Sequence, residues 1–309
     1  MVKRDFVSLA DYSGEEILAF LDLADRLKRM QKNGECHHFL AGKTLALIFE
    51  KPSLRTRLTF QIGMFQLGGQ SVLIDDVLGR RESVADVARN LERWVDGVMA
   101  RTFSHGHVLE LARRATVPVI NALTDKLHPC QILADAQALR ERKGLDLGSL
   151  KLAFVGDGNN VFNSWANFAR RVPLNLTLVC PPGYEGDPEI CAAARAEAKG
   201  AFSVTHDIEE GLRGADAVYT DVWASMGQED EAAERERVFA PYQVNARLMS
   251  LAKPDAVFMH CLPAHRGLEV TDEVIDGPQS IVFDEAENRL HAQKAVMTVL
   301  MGGGFPRPI

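Results

Sequence analysis

The chain has 309 residues, of which 46% are hydrophobic and 25% charged, with 42 acidic against 35 basic side chains and a formal net charge of −7. This is the balance of a globular protein long enough for two ordinary domains, and the acidic excess argues against a nucleic-acid surface while leaving room for a small anion in a local cationic pocket. No apolar run approaches the roughly 20 residues of a membrane span, MVKRDFVSLADYSGEE has no apolar core of signal-peptide length before its acidic residues appear, and five cysteines without paired spacing read as reduced cytosolic thiols.

In chain order, Ser13-Gly14-Glu15-Glu16 has the capping-box spacing, and Ile17, Phe20, Leu21, Ala24 and Leu27 follow at helical intervals. TLALIFE (44–50) reads as a buried strand, LTFQIGMFQLGG as a helix closed by Gly68-Gly69, and SVLI (71–74) as the next strand, which makes a βαβ unit. The pattern recurs with VDGVMA (95–100), a helix near 107–115, and VPVIN (117–121). A second series runs from LKLAFVGDG (150–158) through LNLTLVC, FSVT, DAVYT and DAVFMHC, with SIVF (280–283) as its last strand. The acidic run QEDEAAERERV (228–238) is expected to be a solvated loop or helix face, AENRLHAQKAVMTVLM (286–301) a closing helix, and GGGFPRPI a loose tail.

Short apolar strands alternating with helices predict an α/β protein: two doubly wound domains with parallel sheets flanked by helices. A polar helix, ADAQALRERKG, joins the two series near residues 135–148. The expected domains are therefore 1–134 and 135–309.

The residues with chemical potential sit between these elements. In KPSLRTRLTF (51–60), Ser53 stands at a helix N-cap just after a strand. The first turn of a helix leaves N–H groups unpaired and carries partial positive charge. With the hydroxyls of Ser53 and Thr56 and the guanidinium groups of Arg55 and Arg57, that turn suits a dianionic phosphate. A capped surface helix with two solvated arginines is an equal reading of the same residues.

His128 and Gln131 in HPCQ fit a carbonyl polariser, a satisfied core histidine or a metal ligand, although no further ligands lie at short spacing. FVGDGNN (154–160) begins like a dinucleotide fingerprint, but its third glycine position holds Val161, which disfavours NAD. DVWASMGQE (221–229) is either an Asp-capped helix with a gap-filling Met or a binding loop. Cys261 in FMHCLPAHRG follows a buried strand, at the end where open α/β sheets place ligands, though a free Cys there is also a common apolar filler. Arg289 in AENRLH by itself reads as a helix-surface arginine.

Taken in order from about residue 45 to residue 300, these segments resemble the signatures of the aspartate and ornithine carbamoyltransferases. Residues 53–57 resemble the family's Ser-Thr-Arg-Thr-Arg phosphate loop, with Leu54 in place of a threonine, so that a backbone-amide contact survives and a hydroxyl contact is lost. HPxQ is a second family signature. The resemblance implies that His128 and the upstream Arg101 of MARTF hydrogen-bond the carbamoyl oxygen while Gln131 orients the carbamoyl NH2. It also implies an amino-acid site in which Asn160 meets the carboxylate end, Asp221 pairs with the α-ammonium, and Ser225 and Met226 hold the α-carboxylate region. His260-Cys261-Leu262-Pro263 is similar to the ornithine branch, where the aspartate branch has Pro in place of the Cys, so a basic amino acid is expected rather than aspartate.

The implied carbamoyl phosphate site comprises Ser53, Leu54, Arg55, Thr56, Arg57, Arg101, His128, Gln131, Cys261, Leu262 and Arg289, with catalytic roles for Cys261, Arg101 and His128. Arg289 would reach it from the closing helix, packed back on the first domain. A family glutamine is replaced by Val77, before Leu78-Gly79-Arg80-Arg81-Glu82, and Arg80 or Arg81 would compensate. The implied reaction transfers a carbamoyl group from carbamoyl phosphate to the δ-amine of L-ornithine, giving L-citrulline and phosphate, as in arginine biosynthesis. Alternatives are a transferase for putrescine or N-acylornithine, or a non-catalytic paralogue suggested by Leu54 and Val77. The resemblance implies no metal and no organic cofactor. It implies a homotrimer or a higher homo-oligomer of trimers, which the cysteines place in the cytoplasm, and closure of two domains over the pocket to exclude water.

Overall fold

The computed structural model describes residues 3–75, 77–224 and 229–306. The chain divides into two compact units, Met1–Gln137 with Glu287–Ile309, and Ala138–Ala286. Among the described residues no helix is long and apolar enough to cross a membrane.

The first unit opens with α1 (Gly14–Lys32). The Ser13 hydroxyl accepts the Glu16 N–H, the Glu16 carboxylate accepts the Ser13 N–H, and Ile17, Phe20, Leu21, Ala24 and Leu27 are buried. Then follow β1 (Thr44–Phe49), α2 (Leu54–Gln66), β2 (Gln70–Ile74), α3 (Val84–Leu91), β3 (Gly97–Arg101), α4 (His105–Arg114), β4 (Val119–Leu123) and α5 (Pro129–Lys143). The strands form one parallel sheet in the order β2-β1-β3-β4. The strand order reverses between β1 and β3, and such a switch point opens a crevice beyond the carboxyl ends of the strands. Register sets Phe49 opposite Arg101, so the residues that follow β1 and β3 emerge at the same level.

The second unit contains β5 (Lys151–Val155), α6 (Asn160–Ala169), β6 (Asn175–Val179), α7 (Pro188–Glu197), β7 (Phe202–Thr205), α8 (Ile208–Leu212), β8 (Ala217–Thr220), α9 (Ala232–Phe239), α10 (Ala246–Met249), β9 (Val257–His260) and α11 (Asp272–Ile275). Its sheet is also parallel, in the order β7-β6-β5-β8-β9, with the switch point between β5 and β8. The last helix, α12 (Val282–Gly302), joins the first unit from Glu287 onward.

One reading of the sequence is corrected, and two features go beyond it. SIVF is not a strand: Ser280 makes one bridge to Phe258, and the chain is helical from Val282. A short apolar run satisfies a buried strand and a buried first helical turn equally. The joining helix is polar in composition but buried through Arg140, because its polar groups bond inward: Gln131 donates to Asp135 at 2.7 Å and Gln137 to Asp25 at 3.0 Å. Helix α3 escaped notice because it is short. Ser83 caps it, and Val84, Ala88 and Leu91 form its buried face.

Candidate active site

In the first unit the groups of interest gather beyond β1, β3 and β4. Ser53 is the N-cap of α2, its hydroxyl accepting the Thr56 N–H at 3.3 Å. Thr56 is buried, and its Oγ1 accepts from Arg289 Nη2 at 2.8 Å and from Arg101 Nη1 at 3.5 Å. Arg289, buried on α12, also donates to Gln131 Oε1 at 2.6 Å. One turn later Gln293, in the amide orientation that satisfies both sides, accepts from Arg289 Nε and Nη2 at 3.1 Å and donates to Thr59.

His128 is buried in the same group, and its pKa lies well below the usual histidine value through burial, then through the charges of Arg289, Arg101 and Arg55. The imidazole is therefore neutral, and three guanidinium groups converge on it. Three guanidinium charges bearing on one neutral ring make this end of the sheet locally cationic, which suits an anion. Ser53, Arg55, Thr56, Arg101, His128, Gln131 and Arg289 thus share one end of the sheet. The side chains of Leu54 and Arg57 are exposed.

Glu50, which sequence reasoning missed, joins the surrounding loops through a buried side chain. Its carboxylate accepts the Leu78 and Phe103 N–H groups, each at 2.8 Å, tying the segments after β2 and β3 to the end of β1. Its signal, an acidic residue closing an apolar run, carries no information about donors so distant in sequence. Val77, Arg80 and Arg81 surround the tethered Leu78 and are exposed.

In the second unit the corresponding ends are those of β5, β8 and β9. Parallel register pairs Val155 with Thr220 and Thr220 with His260, so the next residues, Asp221 and Cys261, lie side by side. The Cys261 thiol donates to Asp221 Oδ1 at 3.0 Å, and Asn159 Nδ2 donates to Asp221 Oδ2 at 2.7 Å. Asn159 Oδ1 meanwhile caps α6 by accepting the Val161 and Phe162 N–H groups. Asn160 is the first residue of that helix and half-buried.

Gly158 has a packing explanation: a Cβ there would lie 2.2 Å from the Gly186 nitrogen. The adjoining backbone demands this glycine, with no dinucleotide needed. His260 Nδ1 accepts the Leu262 N–H at 2.8 Å, which leaves the ring proton on Nε2 facing Glu269 Oε1 at 3.2 Å. This ring pins the chain just past Cys261, and Leu262 sits at φ 56°, where a non-glycine residue is uncommon. Donor atoms of Asp221, His260 and Cys261 lie within 4.8 Å of one another, but a cation there would have to break the Leu262–His260 and Cys261–Asp221 bonds. Ser225 and Met226 lie outside the described residues.

Residues 4–141 match the aspartate/ornithine carbamoyltransferase carbamoyl-P binding domain, and residues 148–300 match the Asp/Orn binding domain of the same family. The ornithine carbamoyltransferase of Carboxydothermus hydrogenoformans is 56% identical over 305 residues, covering 97% of this chain and 98% of that protein. That of Thermococcus kodakarensis is 53% identical over 306 residues, covering 97% of each. The solved ornithine carbamoyltransferase of Pyrococcus furiosus superposes with a TM-score of 0.93 at 50% identity, covering 98% of both chains. With both halves matched in order and nearly the whole length aligned, the chain belongs to the aspartate/ornithine carbamoyltransferase family.

Proposed function

We propose that the chain transfers the carbamoyl group of carbamoyl phosphate to the δ-amine of L-ornithine, releasing L-citrulline and phosphate. The observation that carries this reading is the Asp221–Cys261 pair, a carboxylate and a thiol 3.0 Å apart at the strand ends of the second unit. A carboxylate there suits an amino acid's ammonium group, and the relatives with which the chain shares its length are ornithine carbamoyltransferases.

In the reaction the δ-nitrogen forms a bond to the carbonyl carbon, and the bond from that carbon to the phosphate oxygen breaks. An alkylammonium has a pKa near 10.4, so ornithine must first lose a proton. Burial beside Cys261 lowers that pKa; the Cys261 thiol passes its own proton to the Asp221 carboxylate it bonds and, as thiolate, takes the proton released by the δ-ammonium. Ser53, Arg55, Thr56 and Arg57, with the first-turn amides of α2, neutralise the leaving phosphate. Arg101 and neutral His128 donate to the oxyanion of the tetrahedral intermediate. Gln131, held by Arg289, orients the carbamoyl NH2. Asp221, held by Asn159, takes the α-ammonium, and Asn160 the carboxylate end.

Carbamoyl phosphate should be offered with ornithine, acetylornithine, putrescine and aspartate, with phosphate release measured for each. Citrulline formation with ornithine alone is the expected result; no release with any amine would point to a non-catalytic paralogue. Cys261→Ala should lower kcat at least tenfold while changing carbamoyl phosphate affinity less than threefold, a range suited to loss of one proton-transfer group. Unchanged turnover would return the thiol to the role of apolar filler.

The same reading makes the protein a homotrimer of the cytoplasm. Support comes from one face of α2, where Leu54, Leu58, Ile62 and Phe65 are 71%, 45%, 42% and 80% exposed, beside exposed Val72 on the edge strand β2. An apolar stripe of this kind marks a protein interface, and a second copy is the commonest partner. Light scattering should give the mass of three chains, and Leu58→Glu with Phe65→Glu should reduce it to one. A wild-type monomer would remove the proposal.

A further inference from the structure

We propose that Arg235 is the positioning residue of the amino-acid site, a latch on α9 that holds Asp221 and the chain just after it in the geometry that takes ornithine. This rests on the assignment of Asp221 to ornithine.

The sequence hides this arginine in an acidic run in which Glu231, Glu234, Glu236 and Arg237 are exposed, while Arg235 is buried. Its guanidinium donates from Nη1 to Asp157 Oδ2 at 3.0 Å and to the Trp223 carbonyl at 2.9 Å, and from Nε to Glu231 Oε2 at 2.9 Å. It also lies 5.2 Å from the centre of the Tyr184 ring, within cation–π range.

These contacts reach both segments that carry the amino-acid site. Trp223 is two residues beyond Asp221, past the end of β8, where ladder pairing no longer holds the backbone. Arg235 takes its carbonyl, and Phe239, one turn along α9, stacks on its ring at 6.0 Å and 20°. Asp157 is two residues before Asn159, the residue that holds Asp221 Oδ2. Helix α9 therefore fixes Asp221 from two sides, once through the chain that follows it and once through the turn that bonds it.

The charge matters as well as the shape. The Asp157 carboxyl is raised to about 6: burial raises it most, Arg235 lowers it, and Asp221 and Glu231 raise it further. Without the guanidinium, Asp157 would either take up a proton or move away from Asp221 and Glu231, and either change disturbs the turn that carries Asn159. Relief by local rearrangement would then fall on Asp221, which has to meet an ammonium group at a defined distance. Arg235 touches no substrate atom in this account, so its removal should alter ornithine recognition and leave the carbamoyl phosphate site of the first unit unaffected.

The test uses the full chain with Arg235→Met, which keeps much of the apolar stem, and Arg235→Lys, which keeps a charge that can reach only some of the acceptors. KM for ornithine should rise tenfold or more in Arg235→Met, with KM for carbamoyl phosphate within twofold of the parent. Arg235→Lys should fall between the two. If Arg235→Met does not fold, a selective rise of ornithine KM in folded Arg235→Lys still supports the latch. Both variants failing to fold, both KM values rising together, or an unchanged ornithine KM in a folded variant would overturn it. A parent chain that makes no citrulline fails the activity reading instead, and the Kd of ornithine by calorimetry with carbamoyl phosphate present then carries the same comparison.

Discussion

Arg101→Ala should lower kcat for citrulline formation by about 10²- to 10³-fold, the usual consequence of losing one donor to a developing oxyanion. The residue ends β3, where pairing with β4 slips between Ala100 and Arg101, and its Nη1 comes within 3.5 Å of Thr56 Oγ1. It also helps to hold His128 neutral, so both proposed oxyanion donors depend on its placement. Because an oxyanion donor acts mainly as charge moves onto oxygen, the fall should appear in kcat more than in carbamoyl phosphate binding. Steady-state kinetics with calorimetric binding of carbamoyl phosphate separates the two. A kcat within fivefold of the parent, in a variant of unchanged thermal stability, would exclude Arg101 from the reacting centre.

The second large effect is expected on the other substrate. Asp221→Ala removes the carboxylate proposed for the α-ammonium and strands its two donors, Cys261 and Asn159. Truncating one partner of a buried, hydrogen-bonded charge pair costs roughly 2–5 kcal/mol, or about 30- to 4,000-fold in kcat/KM for ornithine. The specific readout is discrimination: the parent should use ornithine far better than 5-aminopentanoate, which lacks the α-amine, whereas the variant should treat the two alike. If discrimination persists, the α-ammonium is held by some other group.

The two sheets were legible because parallel strands buried on both faces must be short, apolar and set between helices, and β1, β5, β6, β8 and β9 all read that way. The capped turn at residues 53–57 was legible because its cap, hydroxyls and arginines are contiguous, and a helix N-terminus is a local device. Arg289 was not legible from its own surroundings. On the pattern of α12 it is a surface arginine, yet it is buried against Thr56 and Gln131, which lie far away in the chain. Glu50, Gln293 and Arg235 escaped notice for the same reason. Each is an ordinary polar residue until its distant partners are known.

Local order, element type and the identity of the capping groups were thus settled by the sequence alone, since they depend on neighbours within a turn or a strand. Convergence was decided only by the folded chain. Strand register puts Asp221 beside Cys261, and the return of α12 to the first unit puts Arg289 on Thr56. The physical reason is that burial and hydrogen bonding between segments many residues apart are set by packing, which leaves no short-range periodicity to read.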